Sequence, residues 1–180
     1  MNTRTVSFTV VVALLGLGIA AFLRSPKSPS AGSTQVEQIK WHDFNEGVSL
    51  AQKENKKLLI DVYTDWCVWC KKMDEDVYSD EGVQQSVAAH YIAVKLNAES
   101  SKGITINGTQ MDEAKLAGAM GVTGYPTTVF LDPAAKPITK VDGFVESKEF
   151  ASILHFIGED HYKTKTFQEY RDSTGAVHKK

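Results

Sequence analysis

The sequence predicts an α/β fold, in which helices flank a central β-sheet. Short apolar runs typical of buried strands alternate along the chain with segments whose apolar residues recur at helical spacing. The 180 residues are 42% hydrophobic and 23% charged, a composition typical of a globular fold with a sizeable core. One strand-like run, Leu58–Tyr63, leads closely into a Cys-x-x-Cys motif at Cys67 and Cys70. A strand followed at once by a helix fits the same layered class.

The first three elements follow from the spacing of apolar residues. Within residues 43–55 these residues recur every three or four positions, which predicts a helix. The largely apolar run 58–63 predicts a buried strand. Residues 67–77 then continue as a second helix, so the Cys-x-x-Cys motif opens that helix.

The next elements have local start and turn signals. Ser79-Asp80-Glu81 is typical of a helix start, because Asp can cap free N–H groups and acids favour the first turn. Three apolar residues are expected on the inner face of this helix: Val83, Val87 and Ala88. Residues 91–96 alternate in polarity and predict a strand. The Asn-Gly pair within 104–109 predicts a tight hairpin.

The remaining elements complete the alternation. Residues 112–120 predict a short helix that ends at Gly121. Two strands are expected at 127–131 and 138–144, and a closing helix at 149–157. Strands interleaved with helices in this way predict layers around one sheet.

The Cys-x-x-Cys motif carries the main chemical prediction. Because a strand precedes it and a helix follows, Cys67 is expected at a helix N-terminus, where unpaired N–H groups favour the thiolate. Two intervening residues let Cys70 reach Cys67 and close a small ring. A thiolate that attacks a disulfide, with a neighbour that resolves the mixed disulfide, is the minimum equipment for dithiol exchange.

Two other interpretations of the cysteine pair are less well supported. A zinc site usually needs four ligands and a second paired motif, but the chain has only two cysteines. A structural disulfide across two residues would remove little entropy from the unfolded chain. The five histidines show no matching ligand spacing: His42, His90, His155, His161 and His178. His161 beside Glu159 and Asp160 is interpreted as surface charge, and no metal site is expected.

The N-terminal segment differs from the rest of the chain. A basic start precedes the apolar run 6–23, so residues 1–23 are predicted to be a signal peptide or a membrane anchor. Residues 24–36 are rich in proline and serine and predict a flexible tether. The folded domain is then expected at 37–158, followed by a C-terminal extension at 159–180.

The motifs, taken together and in order, resemble the thioredoxin superfamily. They are Asp61, Trp66-Cys67-x-x-Cys70, Lys95-Leu96-Asn97 and Gly124-Tyr125-Pro126-Thr127. The resemblance covers roughly residues 40–158 and looks strongest to exported thioredoxin-like proteins and to the C-terminal domain of the periplasmic thiol:disulfide interchange reductase. It implies the thioredoxin fold, a central mixed β-sheet flanked by helices, and a periplasmic location.

Three departures from the thioredoxin pattern are present. Val68-Trp69 replaces the Gly-Pro of thioredoxin, the segment 100–110 is longer, and residues 159–180 have no thioredoxin counterpart. The first departure changes the residues between the cysteines, and the last leaves the role of the C-terminal extension open.

The resemblance implies a role for each matching residue. Cys67 would be the nucleophile and Cys70 the resolving thiol, while Asp61, buried on its strand, would relay the proton of Cys70. The alternative for Asp61 is a carboxylate that faces solvent, and Lys95, which matches a family lysine near this acid, could equally be an exposed strand residue. Pro126 would follow a cis peptide bond and form the substrate-side wall.

Aromatic residues are expected around the reactive sulfur. Trp66, Trp69 and Tyr125 are predicted to surround it with apolar surface that docks an extended or unfolded partner. Packing in the core is the alternative for these three side chains, and both roles could hold for Trp66.

The sequence therefore predicts a thiol-disulfide oxidoreductase that reduces protein disulfides outside the cytosol, either soluble after signal cleavage or anchored to the inner membrane. The expected partners are protein disulfide substrates and an upstream thiol electron donor, with no cofactor. Removing residues 1–33 takes away three of 20 basic residues, so 17 remain against 22 acidic ones, and the net charge of −5 argues against nucleic acid. A disulfide oxidase or isomerase, or a redox-inactive peptide-binding or chaperone module, stays open as an alternative.

Overall fold

Five strands form one sheet in the computed structural model, which describes residues 38–106 and 108–175. The strands of this sheet are β1 (Trp41–His42), β2 (Lys57–Tyr63), β3 (Tyr91–Asn97), β6 (Thr127–Leu131) and β7 (Pro137–Asp142). A separate hairpin consists of β4 (Gly103–Ile106) and β5 (Thr109–Asp112). The sheet order is β1-β3-β2-β6-β7, with β1, β3 and β2 parallel and with β6 antiparallel to both β2 and β7. The predicted mixed sheet is confirmed.

Helices cover both faces of this sheet. They are α1 (Phe44–Glu54), α2 (Val68–Lys72), α3 (Glu81–His90), α4 (Glu113–Ala119), α5 (Ser147–Gly158) and α6 (Phe167–Ser173). A π-helical turn, Met73–Val77, continues α2, and a 3-10 turn, His161–Lys163, follows α5. Asp80 and Asp112 cap α3 and α4, because each carboxylate accepts a backbone N–H from the first turn.

Strand β2 lies between two halves of the core. Leu58, Ile60 and Val62 pack in a cluster with residues of α1 and α4. Leu59 points the other way, into a cluster with residues of the π-helical turn, α3 and α5. Side chains alternate along a strand, so Asp61 lies on the same face as Leu59, beneath the helix that carries Cys70.

Two details of the α3–β3 region differ from the prediction. Residues 91–96 were predicted as a strand of alternating polarity, but 91–94 and Leu96 are all buried, because β3 lies between β1 and β2 in the sheet and helices cover both faces. Ala88 was expected on the inner face of α3 and is exposed. Ser86 is buried there instead, and its hydroxyl donates to the Gly82 carbonyl at 2.8 Å.

The longer segment and the C-terminal extension, which both depart from the thioredoxin pattern, contain regular structure. The longer segment forms the β4–β5 hairpin, which buries Ile104 against the core cluster of α1 and α4. In the C-terminal extension, α6 packs on α5 because the Phe156 ring lies 5.3 Å from that of Phe167 and 5.4 Å from that of Tyr170. The sequence patterns did not predict β1, the 3-10 turn or α6.

The predicted N-terminal segments, 1–23 and 24–36, lie outside the described residues. Across 38–106 and 108–175, none of the helices has both the length and the apolar character that crossing a membrane requires.

Candidate active site

A disulfide joins Cys67 and Cys70 where the chain leaves β2 and enters α2, with 5.3 Å between the two Cα atoms. Cys67 is the N-cap residue of α2, and its Sγ accepts the Cys70 backbone N–H at 3.0 Å. The Cys67 backbone N–H in turn donates to the Thr64 carbonyl at 3.1 Å. The sulfur of Cys67 therefore lies at the donor-rich start of a helix, as the motif predicted.

Exposure does not distinguish the two cysteines. Cys67 is 4% exposed and Cys70 is 3% exposed. In the disulfide form each sulfur covers the other, which reduces the access of solvent to both. The order of attack must therefore follow from position in the helix and not from accessibility in this oxidation state.

Exposed apolar side chains surround the disulfide. Within the described part of the chain, the large hydrophobic residues that are exposed are Trp66 (64%), Val68 (73%) and Trp69 (55%). All three adjoin the cysteines, and we call them the apolar patch. Monomeric proteins seldom leave such side chains clustered in water without a binding function.

Each tryptophan of the apolar patch has defined neighbours. The Trp66 indole N–H donates to Glu99 Oε1 at 3.0 Å, and its ring lies edge-on to Tyr125 with 6.0 Å between centroids. The Trp69 ring lies 5.5 Å from that of Phe144. These contacts hold Trp66 and Trp69 in place while leaving more than half of each side chain exposed.

The loop before β6 contains Pro126, which follows a cis peptide bond from Tyr125. The Pro126 carbonyl accepts the Gly143 N–H at 2.8 Å, and the Thr127 hydroxyl donates to the Gly124 carbonyl at 2.9 Å. These bonds tie the loop to itself and to the end of β7. Pro126 is buried, while Tyr125 is half-buried beside Trp66.

Asp61 is fully buried, which excludes the solvent-facing alternative. Its Oδ2 accepts from Lys95 Nζ at 2.6 Å, whereas Oδ1 has no hydrogen-bond partner. Burial raises the pKa of the Asp61 carboxyl above its ordinary value, and the nearby Lys95 ammonium only partly opposes this. A carboxyl shifted in this direction is suited to exchange a proton near neutral pH.

Lys95 connects Asp61 to the helix that carries Cys70. Its Nζ lies 2.6 Å from Asp61 and 2.5 Å from Asp74 Oδ1, in the π-helical turn after α2. Burial lowers the pKa of Lys95, but the two carboxylates outweigh burial and raise it, so the ammonium stays charged. The Trp41 ring lies 4.6 Å from Nζ and adds a cation–π contact.

The sequence profile of the family described as the thioredoxin-like domain matches residues 44–158, more than half of the chain. The chain belongs to the thioredoxin-like family. The matched range runs from α1 to the end of α5 and contains every predicted site residue.

Curated relatives agree with this thioredoxin-like assignment. The thiol:disulfide interchange protein DsbD of Actinobacillus pleuropneumoniae is 35% identical over 108 residues, which are 59% of this chain and 17% of that protein. DsbD of Yersinia pestis (strain Pestoides F) is 31% identical over 132 residues, 68% of this chain and 21% of DsbD. The chain therefore spans about a fifth of the length of the curated relatives it matches.

A solved structure supports the fold alone. A thioredoxin-fold protein from Helicobacter pylori superposes with a TM-score of 0.57 at 23% identity, covering 68% of this chain and 82% of that one. The thioredoxin-like domain thus shares its architecture with that protein, but the low sequence identity supports no conclusion about function.

The thioredoxin-like site consists of two groups of predicted residues. Beside the cysteines in the chain is the apolar patch, whose Trp66 contacts Tyr125, the residue before the cis proline. On the sheet beneath the helix is the Asp61–Lys95 pair. Two residues were missed by sequence reasoning: Asp74, which shares Lys95, and Phe144, which contacts Trp69. Asp74 lies one helical turn beyond Cys70, so helical spacing could have indicated it. Phe144 was assigned to a strand, and it lies beyond the end of β7.

Proposed function

We propose that this chain is a thiol-disulfide oxidoreductase that uses the Cys67–Cys70 dithiol to reduce protein disulfides outside the cytosol. The observation that carries the proposal is a disulfide at the start of a helix, with exposed tryptophan residues adjoining both cysteines in the chain. The DsbD relatives, named for thiol:disulfide interchange, support the same chemistry. The dithiol itself holds the two electrons, so exchange requires no cofactor.

The first step is attack by the Cys67 thiolate on a substrate disulfide. The new bond joins Cys67 Sγ to one substrate sulfur, and the other substrate sulfur leaves as a thiolate that takes a proton from water. The backbone N–H of Cys70, which already contacts Cys67 Sγ at 3.0 Å in the disulfide, can stabilise negative charge on the attacking atom.

The second step resolves the mixed disulfide. Asp61 accepts the proton of the Cys70 thiol, Cys70 Sγ attacks Cys67 Sγ, and the second substrate sulfur leaves and is protonated. The cysteine pair ends as the disulfide and the substrate gains two electrons and two protons. An upstream thiol donor must then reduce the pair again.

The proton that Asp61 accepts must reach water. A surface cavity of about 360 Å³ is lined by Lys95 and Asp74 together with Trp41 and Tyr78. Lys95, bonded to Asp61 on one side and open to this cavity on the other, keeps the buried carboxyl close to solvent. Lys95 is therefore the positioning residue for the proton relay.

Substrate docking is assigned to the surface around the disulfide. An extended substrate would lie across Trp66, Trp69 and Tyr125, with Pro126 as the wall beside the sulfur atoms. Backbone pairing with an extended peptide supplies affinity without sequence specificity. This surface suits a domain that acts on several unfolded or partly folded proteins.

Reduction potential tests the proposed direction of transfer. The full chain is equilibrated with mixtures of oxidised and reduced glutathione, and the dithiol fraction is counted by alkylation. A reductase requires a potential below that of the glutathione couple, so most of the protein should stay oxidised in an equimolar thiol-disulfide mixture. A potential close to that of strong oxidants would instead support the oxidase alternative, and no exchange at all would support the peptide-binding module.

Replacing Trp69 with alanine tests the docking surface. Loss of an exposed aromatic anchor should raise KM for a protein disulfide by about fivefold or more, since such anchors are worth over about 1 kcal/mol. The rate with a small symmetrical disulfide is the internal control, because that substrate barely touches the patch. Equal losses with both substrates would place Trp69 in the chemical step or in the fold.

A chain that begins at Val36 tests the predicted role of the N-terminal segment. Every residue assigned to exchange lies beyond Lys57, so this shorter chain should fold and reduce a protein disulfide as fast as the full chain. In the full chain, fractionation should find the protein in the inner membrane if residues 1–23 are retained, or free in the periplasm if they are cleaved. Aggregation or slower exchange of the shorter chain would contradict this assignment.

A further inference from the structure

A cluster of metal-ligating side chains lies where α3 and α5 end. His90 is the last residue of α3, His155 lies in the last turn of α5, and Glu159 follows that helix. One potential ligand atom of each residue falls within 4.8 Å of the other two. Helix packing creates this juxtaposition, so ligand spacing along the sequence could not reveal it.

The spacing of the ligand atoms suits a small divalent ion. Glu159 Oε1 lies 3.2 Å from His155 Nδ1 and 3.9 Å from His90 Nε2. In a tetrahedral zinc site with bonds of about 2.1 Å, neighbouring ligand atoms are about 3.4 Å apart. These two separations bracket the tetrahedral spacing, and all three ligand atoms lie within 4.8 Å of one another.

The hydrogen bonds of His155 leave its Nδ1 facing a carboxylate oxygen. The Ser86 hydroxyl donates its hydrogen to the Gly82 carbonyl at 2.8 Å, so Ser86 Oγ accepts from His155 Nε2 at 3.1 Å. With Nε2 engaged as the donor to Ser86, His155 directs Nδ1 toward Glu159 Oε1 at 3.2 Å. A proton or a metal ion between these two atoms would satisfy both of them.

The groups around these ligands resemble the outer shell of a metal site. Ser86 orients His155, and His161 Nε2 contacts the other oxygen of Glu159 at 3.0 Å. Ligating histidines and carboxylates in metal sites are commonly held by such secondary hydrogen bonds. The positive charge of the nearby Lys57 ammonium is compensated by the Asp160 carboxylate, and Lys57 also donates to the Gly158 carbonyl.

Gly158 lets His90 approach. A Cβ atom at Gly158 would lie 2.8 Å from Cγ of the His90 ring, closer than real Cβ contacts. The glycine thus places the imidazole directly against the end of α5, next to Glu159. Any larger residue at this position would push the ring away from the other ligands.

We infer that His90, His155 and Glu159 form a zinc-binding site, with water completing the tetrahedron. Two histidines and one carboxylate are a donor set that Zn²⁺ accepts in proteins. The bound ion would join the end of α3 to the end of α5 and the residue that follows it, and so stabilise the packing of the two helices.

Calorimetric titration of the oxidised full chain with zinc chloride tests this site. The intact disulfide keeps the two thiols from binding the metal, and magnesium chloride serves as the control ion. We expect one Zn²⁺ per chain and a rise in Tm with zinc, since an ion that binds only the folded state stabilises it. Absence of one-to-one binding, or titration with the same affinity by Mg²⁺, would overturn the inference.

Variants locate the ion within the chain. Glu159→Gln and His90→Gln should each weaken zinc binding by at least about tenfold. Gly158→Ala should also weaken it, although it removes no ligand, and circular dichroism confirms that each variant is folded. Glu46→Gln is the matched control, because Glu46 contacts His42 at 3.1 Å in a comparable pair, and it should bind as the unchanged chain does. Unaltered affinity in Glu159→Gln would place the ion elsewhere.

Discussion

Replacing Cys67 with serine is expected to lower the rate of disulfide exchange by about a thousandfold or more, because the attacking thiolate is lost. Replacing Cys70 should have a different outcome. The Cys70→Ser chain can still attack through Cys67, but it cannot resolve the product, so a mixed disulfide with the substrate should accumulate. This asymmetry follows from Cys67 being the N-cap of α2 and Cys70 lying within its first turn.

Mass spectrometry after acid quenching and alkylation distinguishes the two variants. The chain has only two cysteines, so every covalent adduct can be assigned without a further control for other thiols. In the reduced unaltered chain, Cys67 should be alkylated first at neutral pH. Accumulation of the adduct in Cys67→Ser would reverse the assignment of nucleophile and resolving thiol. Full biological effect of the double serine variant would instead favour a peptide-binding module.

Asp61→Asn is expected to slow resolution of the mixed disulfide by about a hundredfold while leaving its formation nearly unchanged. The amide cannot accept the proton of Cys70, and general bases typically contribute a factor of this size. Rapid-quench measurement of both steps tests the prediction. Equal slowing of the two steps, or none, would leave Asp61 without a role in the relay.

The same variant should alter the pH dependence of stability. Burial raises the pKa of Asp61 in the folded chain above the 3.8 of an ordinary aspartate. At a pH between 3.8 and the raised pKa, the folded chain therefore binds more protons than the unfolded chain. Asp61 therefore lowers the free energy of unfolding as pH rises through this window. Asp61→Asn removes that decline, and its advantage over the unaltered chain should be greatest above the window.

Asp76→Asn is a matched control for both measurements. Like Asp61, Asp76 pairs with a lysine, here Lys72, but it lies in the π-helical turn and is exposed. It should change neither the resolution rate nor the stability in the pH range that reports on Asp61. A parallel change in both variants would indicate a general effect of charge on this helix.

Most of the fold could be predicted because strand and helix periodicities are local properties. The strand Thr127–Leu131 has the predicted bounds, and Asp80 caps its helix as expected. β1 escaped prediction because two residues are too few for any period. The exposure of Ala88 could not be predicted from residue polarity. Ser86 is buried on the inner face of α3 because its hydroxyl donates a hydrogen bond to a carbonyl of the same helix.

The site residues that belong to a single motif or strand were predicted from the sequence. The burial of Asp61 and its contact with Lys95 confirm what the resemblance implied about their positions, while their catalytic roles stay predictions. Asp74 lies one helical turn beyond Cys70, so its position could have been predicted, but its contact with Lys95 joins separate elements, as does the contact of Phe144 with Trp69. The same limit applies to His90 and His155, which packing alone brings together.

The packing of α6 on Phe156 changes where the C-terminal boundary of the domain should be placed when the domain is excised. The family match ends at residue 158, yet the hydrophobic contacts of α5 continue into Phe167 and Tyr170. Excising the chain at the family boundary would leave an aromatic face bare and invite self-association. A domain transplanted into another protein should therefore carry its last helix with it, through Ser173.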